Sequence, residues 1–533
     1  MKMKFRKILM LSAIVIGTIT SCKKTKVVPD VVTPPPVTPP TTTTATRAEL
    51  TKDSIFLYAK ELYLWNDKLP TYEVFNPRKF TTYPASLDNY EEELFEITKY
   101  SNPYEYKPGS TSSKFSYIAD KADENPKAIV KSASVDLDGN GNDFGIRFGF
   151  YGTTANYTIY VTAVYENSPA EKAGFVRGDK ITKMNGATFG VNFDAQYSAI
   201  LTALNGTTIK LEGIKSNGNN FDLTLAKTVF ASKPIYKSRV IDAGAKKIGY
   251  LAYARFSSMT NSQAGFDAAF ASFSTAGVTD LIIDLRYNGG GYIETAEYLI
   301  NLIAPNSVSG TVMFSEHYNT TMQNNQATIL KNQPLLDRND KVQYANGKIV
   351  TYYDYIANPY SVANNTSRFA KKGPLNNLTN VVFIVSGNTA SASELVINSL
   401  KPHMNVKLVG LTTYGKPVGF FPITLENKYD VYYSMFETKN SLGQGGYYDG
   451  FVPDYSLSEV PANTIMYDFG NVNDNYLKKA IDVIAPGIVV TSQAKTMSAR
   501  EKSLAVQSSS VINSDLSDRE FKGMVENRHK RKN

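Results

Sequence analysis

The stretch "NVVFIVSGNTASASELVINSLK", residues 380–401, decides the class of fold. An apolar run leads into a turn of small residues and then into a segment with helical spacing, which predicts a strand, a sharp turn and a helix. Apolar runs recur in "KIGYLAYARFS" (247–257), "TDLIIDLRYNGGG" (279–291) and "VKLVGLT" (406–412). Because strands here alternate with helical segments, we expect an α/β core over residues 240–485.

Two regions of this half of the chain do not follow the alternation. Residues 306–375 are polar and rich in Asn, Tyr and Thr, and they are too long for a plain connection. We therefore expect an insert of β-hairpins or a lid beside the site. Residues 486–533 are rich in Ser and Lys, and their composition predicts a poorly ordered basic tail.

The N-terminus has the pattern of a targeting signal. A basic start, "MKMKFRK", precedes an apolar run that is too short to favour a membrane-spanning helix, and then comes Cys22. The pattern resembles a bacterial lipoprotein signal, in which residues 1–21 are removed and Cys22 is lipidated. An ordinary secretory signal followed by an unrelated cysteine is the alternative. With residues 22–47 as a Pro/Thr-rich tether, we expect a protein lipid-anchored to a membrane in the cell envelope.

Residues 48–130 are predicted to form an N-terminal helical segment. Ile55, Ala59, Leu62 and Trp65 recur at intervals of three to four residues, which places them on one face of a helix. The segment carries no candidate catalytic pattern, so we expect it to serve as scaffolding.

Composition argues against several classes of function. The chain has 533 residues and a net charge of +8, but its Lys and Arg residues are spread along the sequence, so nucleic acid is not an expected partner. Cys22 is the only cysteine, which rules out an intrachain disulfide. Since CxxC and HExxH patterns are missing, we expect neither a zinc site nor a cofactor.

Residues 136–147 resemble the start of a calcium-binding loop. Asp136, Asp138 and Asn140 occupy ligand positions, but the twelfth position, where an acid is needed, is Arg147. A turn that leads into a strand explains the same residues equally well.

Residues 140–230 contain short runs that alternate apolar and polar residues, which predicts strands. Among them, "ENSPAEKAGFVRGDKITKMNG" (166–186) resembles a PDZ domain. The resemblance implies that a peptide binds by strand addition, and that backbone amides near Phe144, Gly145 and Ile146 hold its C-terminal carboxylate. The alternative is a β-domain that has lost its ligand.

The turn between the predicted strand and helix offers three hydroxyls, those of Thr389, Ser391 and Ser393. Ser391 would lie at the helix N-terminus, where backbone N–H groups and the helix dipole stabilise a developing negative oxygen. A serine at this position could equally be an ordinary N-cap.

A nucleophilic serine needs a group that accepts its proton. His317, His403 and His529 have no convincing carboxylate partner in the sequence. Lys416 lies among Tyr, Gly, Pro, Val and Phe, and a lysine can act as a base where burial disfavours its charged form. A solvated turn lysine is the alternative. The glycines of "DLRYNGGG" (284–291) could supply a second oxyanion donor.

Together these motifs resemble those of the tail-specific, or C-terminal processing, serine proteases. "DLRYNGGG", "SASE" (391–394) and "TYGK" (413–416) follow a PDZ-like segment in the order of that family, with the family's spacing between the serine and the lysine. The resemblance covers residues 140–485 and implies a crotonase-like α/β core, a ββα spiral.

The resemblance also implies roles for individual residues. Ser391 would attack the scissile carbonyl of a protein or peptide substrate bound through its C-terminal tail, and Lys416 would take and return the proton. The N–H groups of Ala392 and Gly290 would hold the oxyanion. Four residues would support the site: Glu394, Thr413, Asp284 and Arg286.

The chain departs from the family where a third polar group can occur, since Pro402 and Phe420 occupy those positions. We therefore expect a membrane-anchored serine endopeptidase with a Ser–Lys dyad. One alternative is a non-catalytic PDZ lipoprotein that binds peptides. Another is a hydrolase of a different bond, such as an ester, built on the same residues.

Overall fold

The computed structural model describes residues 45–122, 135–337, 341–488, 490, 504–512 and 523–525. The predicted signal peptide (1–21), Cys22 and nearly all of the predicted tether lie outside these residues. Within the described ranges, no helix is both long enough and apolar enough to span a membrane.

The described chain begins with α1 (Arg47–Leu62), α2 (Tyr72–Phe75), α3 (Ser86–Thr98) and β1 (Tyr117–Asp120). A capping box starts α1, because Thr46 and Glu49 each accept the backbone N–H of the other.

The buried face of α1 is the one that the spacing predicts. Ile55, Ala59 and Leu62 lie on it, and Trp65 is buried just beyond the helix. These residues share one hydrophobic core with residues 240–485, the region that is predicted to be catalytic and is called the catalytic region below. The N-terminal segment is therefore part of the same body. The segment is not wholly helical, since β1 pairs with a strand of the catalytic region at Tyr429–Tyr432.

The PDZ-like region is built mainly from strands. Its elements are β2 (Asn140–Asp143), β3 (Ile146–Gly152), β4 (Tyr157–Val164), α4 (Pro169–Lys172), β5 (Lys180–Met184), β6 (Ala187–Thr188), α5 (Phe193–Asn205), β7 (Thr208–Ile214), β8 (Asn220–Ala226) and β9 (Thr228–Ala231). The sheet order β3-β4-β5-β7-β8 makes β3 an edge strand. Residues 166–186, which carry the PDZ resemblance, contain the short helix α4 and the strand β5.

The acidic stretch before β2 forms a turn. Asp136 Oδ1 accepts the N–H of Asn140, and Asp138 Oδ1 accepts the N–H of Ser258 in the catalytic region. Both carboxylates are therefore engaged in backbone contacts, which favours the turn interpretation over the calcium loop.

The catalytic region holds the remaining α-helices and strands that precede the tail. They are β10 (Ile235–Ala243), β11 (Lys246–Tyr253), α6 (Met259–Thr275), β12 (Asp280–Asp284), β13 (Gly290–Tyr292), α7 (Ile293–Ile303), β14 (Val312–Tyr318), α8 (Thr320–Gln323), β15 (Tyr344–Ala345), β16 (Lys348–Ile349), β17 (Thr366–Arg368), β18 (Asn380–Val385), α9 (Ala392–Leu400), β19 (Asn405–Gly410), β20 (Val418–Gly419), β21 (Ile423–Leu425), β22 (Tyr429–Tyr432), β23 (Phe436–Asn440), β24 (Tyr455–Ser456) and α10 (Asn475–Ile484).

The main sheet has the order β10-β11-β12-β18-β19-β24, and its strands from β11 onward run parallel. Successive side chains point to opposite faces of the sheet. Leu281 and Ile283 of β12 pack in the core that includes α6, α7 and α9, whereas Ile282 packs in the core that includes α10. Burial on both faces explains why these strands read as continuous apolar runs.

The predicted insert, residues 306–375, is not a separate lid. Its strand β14 pairs with β17 and with β23, and β23 in turn pairs with β20. The insert also contains the predicted kind of hairpin, β15–β16. Its strands therefore extend a second sheet that belongs to the catalytic region.

The prediction of a poorly ordered tail is wrong for the described parts of residues 486–533. Leu504, Ala505 and Val506 are buried, and Gly523–Val525 forms a strand, β25, in which Met524 is fully buried. Short apolar stretches inside a polar segment account for the difference, since they bury well although the average composition is that of a disordered chain.

Candidate active site

Two loops meet at the carboxyl ends of the adjacent parallel strands β12 and β18, and their contacts distinguish the three candidate hydroxyls. Thr389 Oγ1 donates to the carbonyl of Leu285 at 2.7 Å, and Ser393 Oγ donates to the carbonyl of Asn288 at 3.0 Å. These two hydroxyls fasten the loops together. The Oγ of Ser391 is buried and makes no hydrogen bond with any described residue, so it is the hydroxyl left for chemistry.

Ser391 has an unusual backbone conformation, with φ 59° and ψ −110°. A non-glycine residue in such a conformation costs about 1–3 kcal/mol and persists where the surroundings enforce it. Helix α9 begins at the next residue, Ala392, so Ser391 sits beside the first-turn N–H groups, which lack partners within the helix. Ser391 is the N-cap residue of α9, and the Glu394 side chain accepts its backbone N–H as in a capping box, so the N-cap interpretation and the nucleophile interpretation are compatible.

Lys416 is fully buried, so the interpretation as a solvated turn lysine is wrong. Its Nζ donates to the backbone carbonyl of Phe115 at 3.2 Å and lies 4.4 Å from the centre of the Phe420 ring. The aromatic face of Phe420 therefore packs on the amine at one of the two positions where a third polar group can occur in the resembled family. Phe115 belongs to the N-terminal segment, which thus contributes to the site and is more than scaffolding.

The Glu394 carboxylate joins the serine turn to the lysine turn. Its Oε2 accepts the backbone N–H groups of Ser391 and Lys416, each at 2.8 Å. Its Oε1 accepts the Thr413 hydroxyl at 2.5 Å and the Gly415 N–H at 2.8 Å. Glu394 and Thr413 therefore lie where a supporting role requires them.

Complete burial raises the pKa of Glu394, because a charged carboxylate is poorly solvated there. Its four hydrogen bonds act in the opposite direction but do not cancel the effect of burial. The four donors therefore fix the position of the buried Glu394 side chain.

Gly290 does not present the predicted oxyanion donor in this conformation. Its N–H donates to Asn288 Oδ1 at 2.9 Å, because the short Asn288 side chain folds back onto the residue two positions later. The loop does lie at the required place, since a Cβ added to Gly290 would be 3.0 Å from the Ala392 nitrogen. The N–H must change partner before it can hold an oxyanion.

Asp284 and Arg286 belong to a buried charged cluster. The Arg286 guanidinium makes paired hydrogen bonds with Asp284 and with Asp474 of α10. All three side chains are almost fully buried, so each charge depends on the others. Asp474 was not predicted, because its role depends on a fold contact with no local motif.

The PDZ-like region contacts the same loop. Arg177, just before β5, bonds to Glu459 at 2.6 Å and to the Tyr287 hydroxyl at 2.8 Å. The guanidinium of Arg147 in β3 lies 3.9 Å from the centre of the Tyr287 ring. Tyr287 precedes Asn288 and the glycines, so the PDZ-like region contacts the residue next to residues 288–291, the candidate oxyanion loop.

The predicted peptide-carboxylate loop of the PDZ-like region is closed by its own contacts. Phe144 and Ile146 point into the hydrophobic core of the sheet, and the Gly145 N–H donates to Asp143 Oδ1 at 3.0 Å. The Gly145 amide is therefore not exposed to a ligand as predicted. Binding of a peptide terminus at this loop stays a prediction.

The two histidines that the structure describes bond to serines other than Ser391. His403 hydrogen-bonds with Ser441, and His317 hydrogen-bonds with Ser315, each at 2.9 Å. Burial lowers the pKa of both rings. His529 lies outside the described residues.

Comparison with known proteins identifies two regions of the chain. Residues 247–457 match the model of peptidase family S41, and residues 160–212 match the model of a PDZ domain. The chain is 27% identical over 259 residues to the carboxy-terminal processing protease CtpA of Bacillus subtilis (strain 168), which covers 48% of this chain and 44% of that protein.

A second curated relative and a solved structure show the same similarity. The chloroplastic C-terminal processing peptidase of Tetradesmus obliquus is 27% identical over 290 residues, covering 51% of this chain and 50% of that protein. The fold resembles that of the "Putative S41 protease" from Bacteroides fragilis NCTC 9343, with a TM-score of 0.54 and 23% identity over 81% of this chain and 96% of that one.

The chain thus has an S41 peptidase domain preceded by a PDZ domain. Its curated relatives include carboxy-terminal processing proteases. It spans about half the length of the curated relatives that it matches.

Proposed function

We propose that this protein is a serine endopeptidase that cleaves protein or peptide substrates with a Ser391–Lys416 dyad. One observation carries the proposal: Glu394 holds both residues by their N–H groups, while Ser391 Oγ is buried without a partner among the described residues. A buried hydroxyl without a hydrogen-bond partner lowers the stability of the fold. Such a group is retained at sites where it takes part in a reaction.

The proposed reaction follows from the positions of these groups. Lys416, as the neutral amine, takes the proton of Ser391 as Oγ attacks the scissile carbonyl. The Ala392 N–H and a second N–H from the glycine loop, after its release from Asn288, stabilise the oxyanion. Lys416 then protonates the leaving amine and later activates the water that hydrolyses the acyl-enzyme.

The PDZ domain is proposed to bind the substrate tail, and the catalytic core is proposed to be the crotonase-like ββα spiral. Support for a coupled PDZ domain comes from Arg177, whose bond to Tyr287 reaches the oxyanion loop.

We further propose that Cys22 is lipidated and that the mature protein is anchored in the cell envelope. Metabolic labelling with a fatty-acid analogue should mark the wild-type chain but not Cys22→Ala. Equal labelling of both chains would contradict the anchor.

The peptidase proposal is tested with the chain from residue 45 onward and an unfolded protein substrate. We expect cleavage by the wild type and none by Ser391→Ala or Lys416→Ala. Equal cleavage by all three would dismiss the site. If none cleaves but peptide binding persists, the non-catalytic alternative is correct.

A further inference from the structure

The C-terminal tail of the chain crosses the candidate active site. β25 pairs in parallel with β13, so that Gly523 lies opposite Gly290, and the Gly523 N–H donates to the Gly289 carbonyl at 3.0 Å. On its other side, the Met524 carbonyl accepts the Phe420 N–H at 3.1 Å. The tail strand therefore lies between the oxyanion loop and the segment that follows Lys416.

The approach of the tail to the oxyanion loop is close. A Cβ added to Gly290 would be 2.4 Å from the Gly523 carbonyl oxygen and 3.0 Å from the Ala392 nitrogen. Met524, opposite Gly291, is fully buried in the core of the catalytic region. Burying an unbranched apolar side chain of this size stabilises the bound strand.

The same tail also occupies the PDZ domain. The Gly152 N–H donates to the Ser510 carbonyl, and the Ile512 N–H donates to the Phe150 carbonyl, both at 2.8 Å. Val511 thus forms an antiparallel bridge with Tyr151 on the edge strand β3. Adding a strand to a sheet edge is the way in which PDZ domains bind extended peptides.

We propose that the C-terminal tail is an intramolecular ligand of the substrate path, occupying the PDZ edge with residues 510–512 and the catalytic cleft with residues 523–525. Because the tail is tethered, its effective concentration is of the order of millimolar, so a free substrate competes at a disadvantage. The Gly290 N–H donates to Asn288, so the bound tail lacks this oxyanion donor. The tail therefore occupies the cleft as an inhibitor of cleavage and not as a substrate.

The tail also indicates the substrate class of the cleft, and this point rests on the proposed function. A substrate that displaces the tail is an extended segment that pairs with β13 and Phe420. It places a residue without a bulky side chain opposite Gly290 and an unbranched apolar residue, such as methionine, in the next position.

Activity gives the first test. Met524→Asp places a charge where burial forbids it, so the tail leaves the cleft, while Met524→Leu preserves an apolar side chain of similar volume. We expect Met524→Asp to raise kcat/KM about tenfold or more over the wild type, and Met524→Leu to match the wild type. Equal rates for all three active proteins would overturn the proposal.

A second readout does not need turnover. Hydrogen exchange is measured at the Phe420 N–H in Ser391→Ala chains with and without Met524→Asp. When the tail leaves, the Phe420 N–H loses its bond to the Met524 carbonyl, so its exchange should become about tenfold faster or more. Unchanged exchange would overturn tail binding even if no variant cleaves.

Intact mass separates inhibitor from substrate. A wild-type chain that keeps its C-terminus supports inhibition. A chain shortened in the wild type but complete in Ser391→Ala would show that the tail is cleaved, which overturns inhibition.

Discussion

Ser391 and Lys416 donate their backbone N–H groups to one oxygen atom, Glu394 Oε2, each over 2.8 Å. The two nitrogens therefore cannot be farther apart than the sum of these distances. The start of α9 and the lysine turn are held together by a buried carboxylate, which makes the serine and the lysine a single geometric unit.

Replacing the proposed base should abolish cleavage without unfolding the chain. Lys416→Met keeps much of the volume of the side chain but has no proton acceptor, and Lys416→Arg keeps a charge that is not lost at accessible pH. We expect kcat to fall by about 10²–10⁴ in both variants. Activity that survives in Lys416→Arg would mean that another group takes the proton. Matched thermal unfolding curves control for folding.

Glu394→Gln tests whether the Glu394 carboxylate holds the serine turn and the lysine turn together. The glutamine side chain has one oxygen, so the two donors that bonded to the other carboxylate oxygen of Glu394 would face its NH₂ group. We expect a loss of about 2–4 kcal/mol in the free energy of unfolding and a clear fall in kcat. Denaturant titration and steady-state kinetics measure both, with Glu73→Gln on the exposed helix α2 as the control. Unchanged stability would contradict the role given to Glu394.

Gly290→Ala should damage the oxyanion loop. Gly290 has φ 109°, and an added Cβ would press on the Ala390 carbonyl and the Ala392 nitrogen, each 3.0 Å away. It would also lie 2.4 Å from the Gly523 carbonyl oxygen of the tail strand, so the comparison is made in Met524→Asp chains, from which the tail is displaced. We expect kcat/KM to fall about 10²-fold or more.

Gly277→Ala is the matched control for this change, because its φ is also positive, at 75°, but a Cβ there meets nothing within 4 Å. It should lose only about 1–2 kcal/mol of stability and keep its activity. Equal activity of the two variants would remove Gly290 from the site.

Glu459 should make the protein sensitive to acid. Burial alone would raise the pKa of this carboxyl, but the charges of Arg177 and Arg286 and the Tyr287 hydroxyl outweigh it and lower the pKa from 4.5 to about 2. The stabilisation is complete above pH 4.5 and is lost as the pH falls towards 2. It amounts to roughly 3 kcal/mol.

The measurement compares unfolding free energies of the wild type and Glu459→Gln between pH 7 and pH 2. The difference between them should shrink as the pH falls through this window. A difference that stays constant would show that the ionised carboxylate does not stabilise the fold.

The sequence predicts those parts of the site that depend on local pattern. The apolar run of β18, the small residues after it and the start of α9, which includes Glu394, lie in one stretch, and Lys416 follows the next strand, β19. Parallel strands bring their carboxyl ends to the same edge, so a motif after each strand identifies the site. Asn288 could also have been found, because Asn often bonds to the backbone two residues on.

The rest depends on contacts between distant parts of the chain. Phe115 reaches Lys416 across 301 residues through a backbone carbonyl, which leaves no side-chain signal. Arg177 and Glu459 are 282 residues apart, and each alone is an ordinary charged residue. The tail strand was missed because Met524 and Val525 are a short apolar pair in a polar segment.

The most direct test of the account is covalent trapping of the nucleophile. The Met524→Asp chain is treated with a fluorophosphonate, and the adduct is located by peptide mass spectrometry, alone and combined with Ser391→Ala or Lys416→Met. The account predicts one adduct, on Ser391, which is lost with Ser391→Ala and slowed about 10²-fold or more with Lys416→Met. An adduct on another residue, or an equal rate without the lysine, would contradict it.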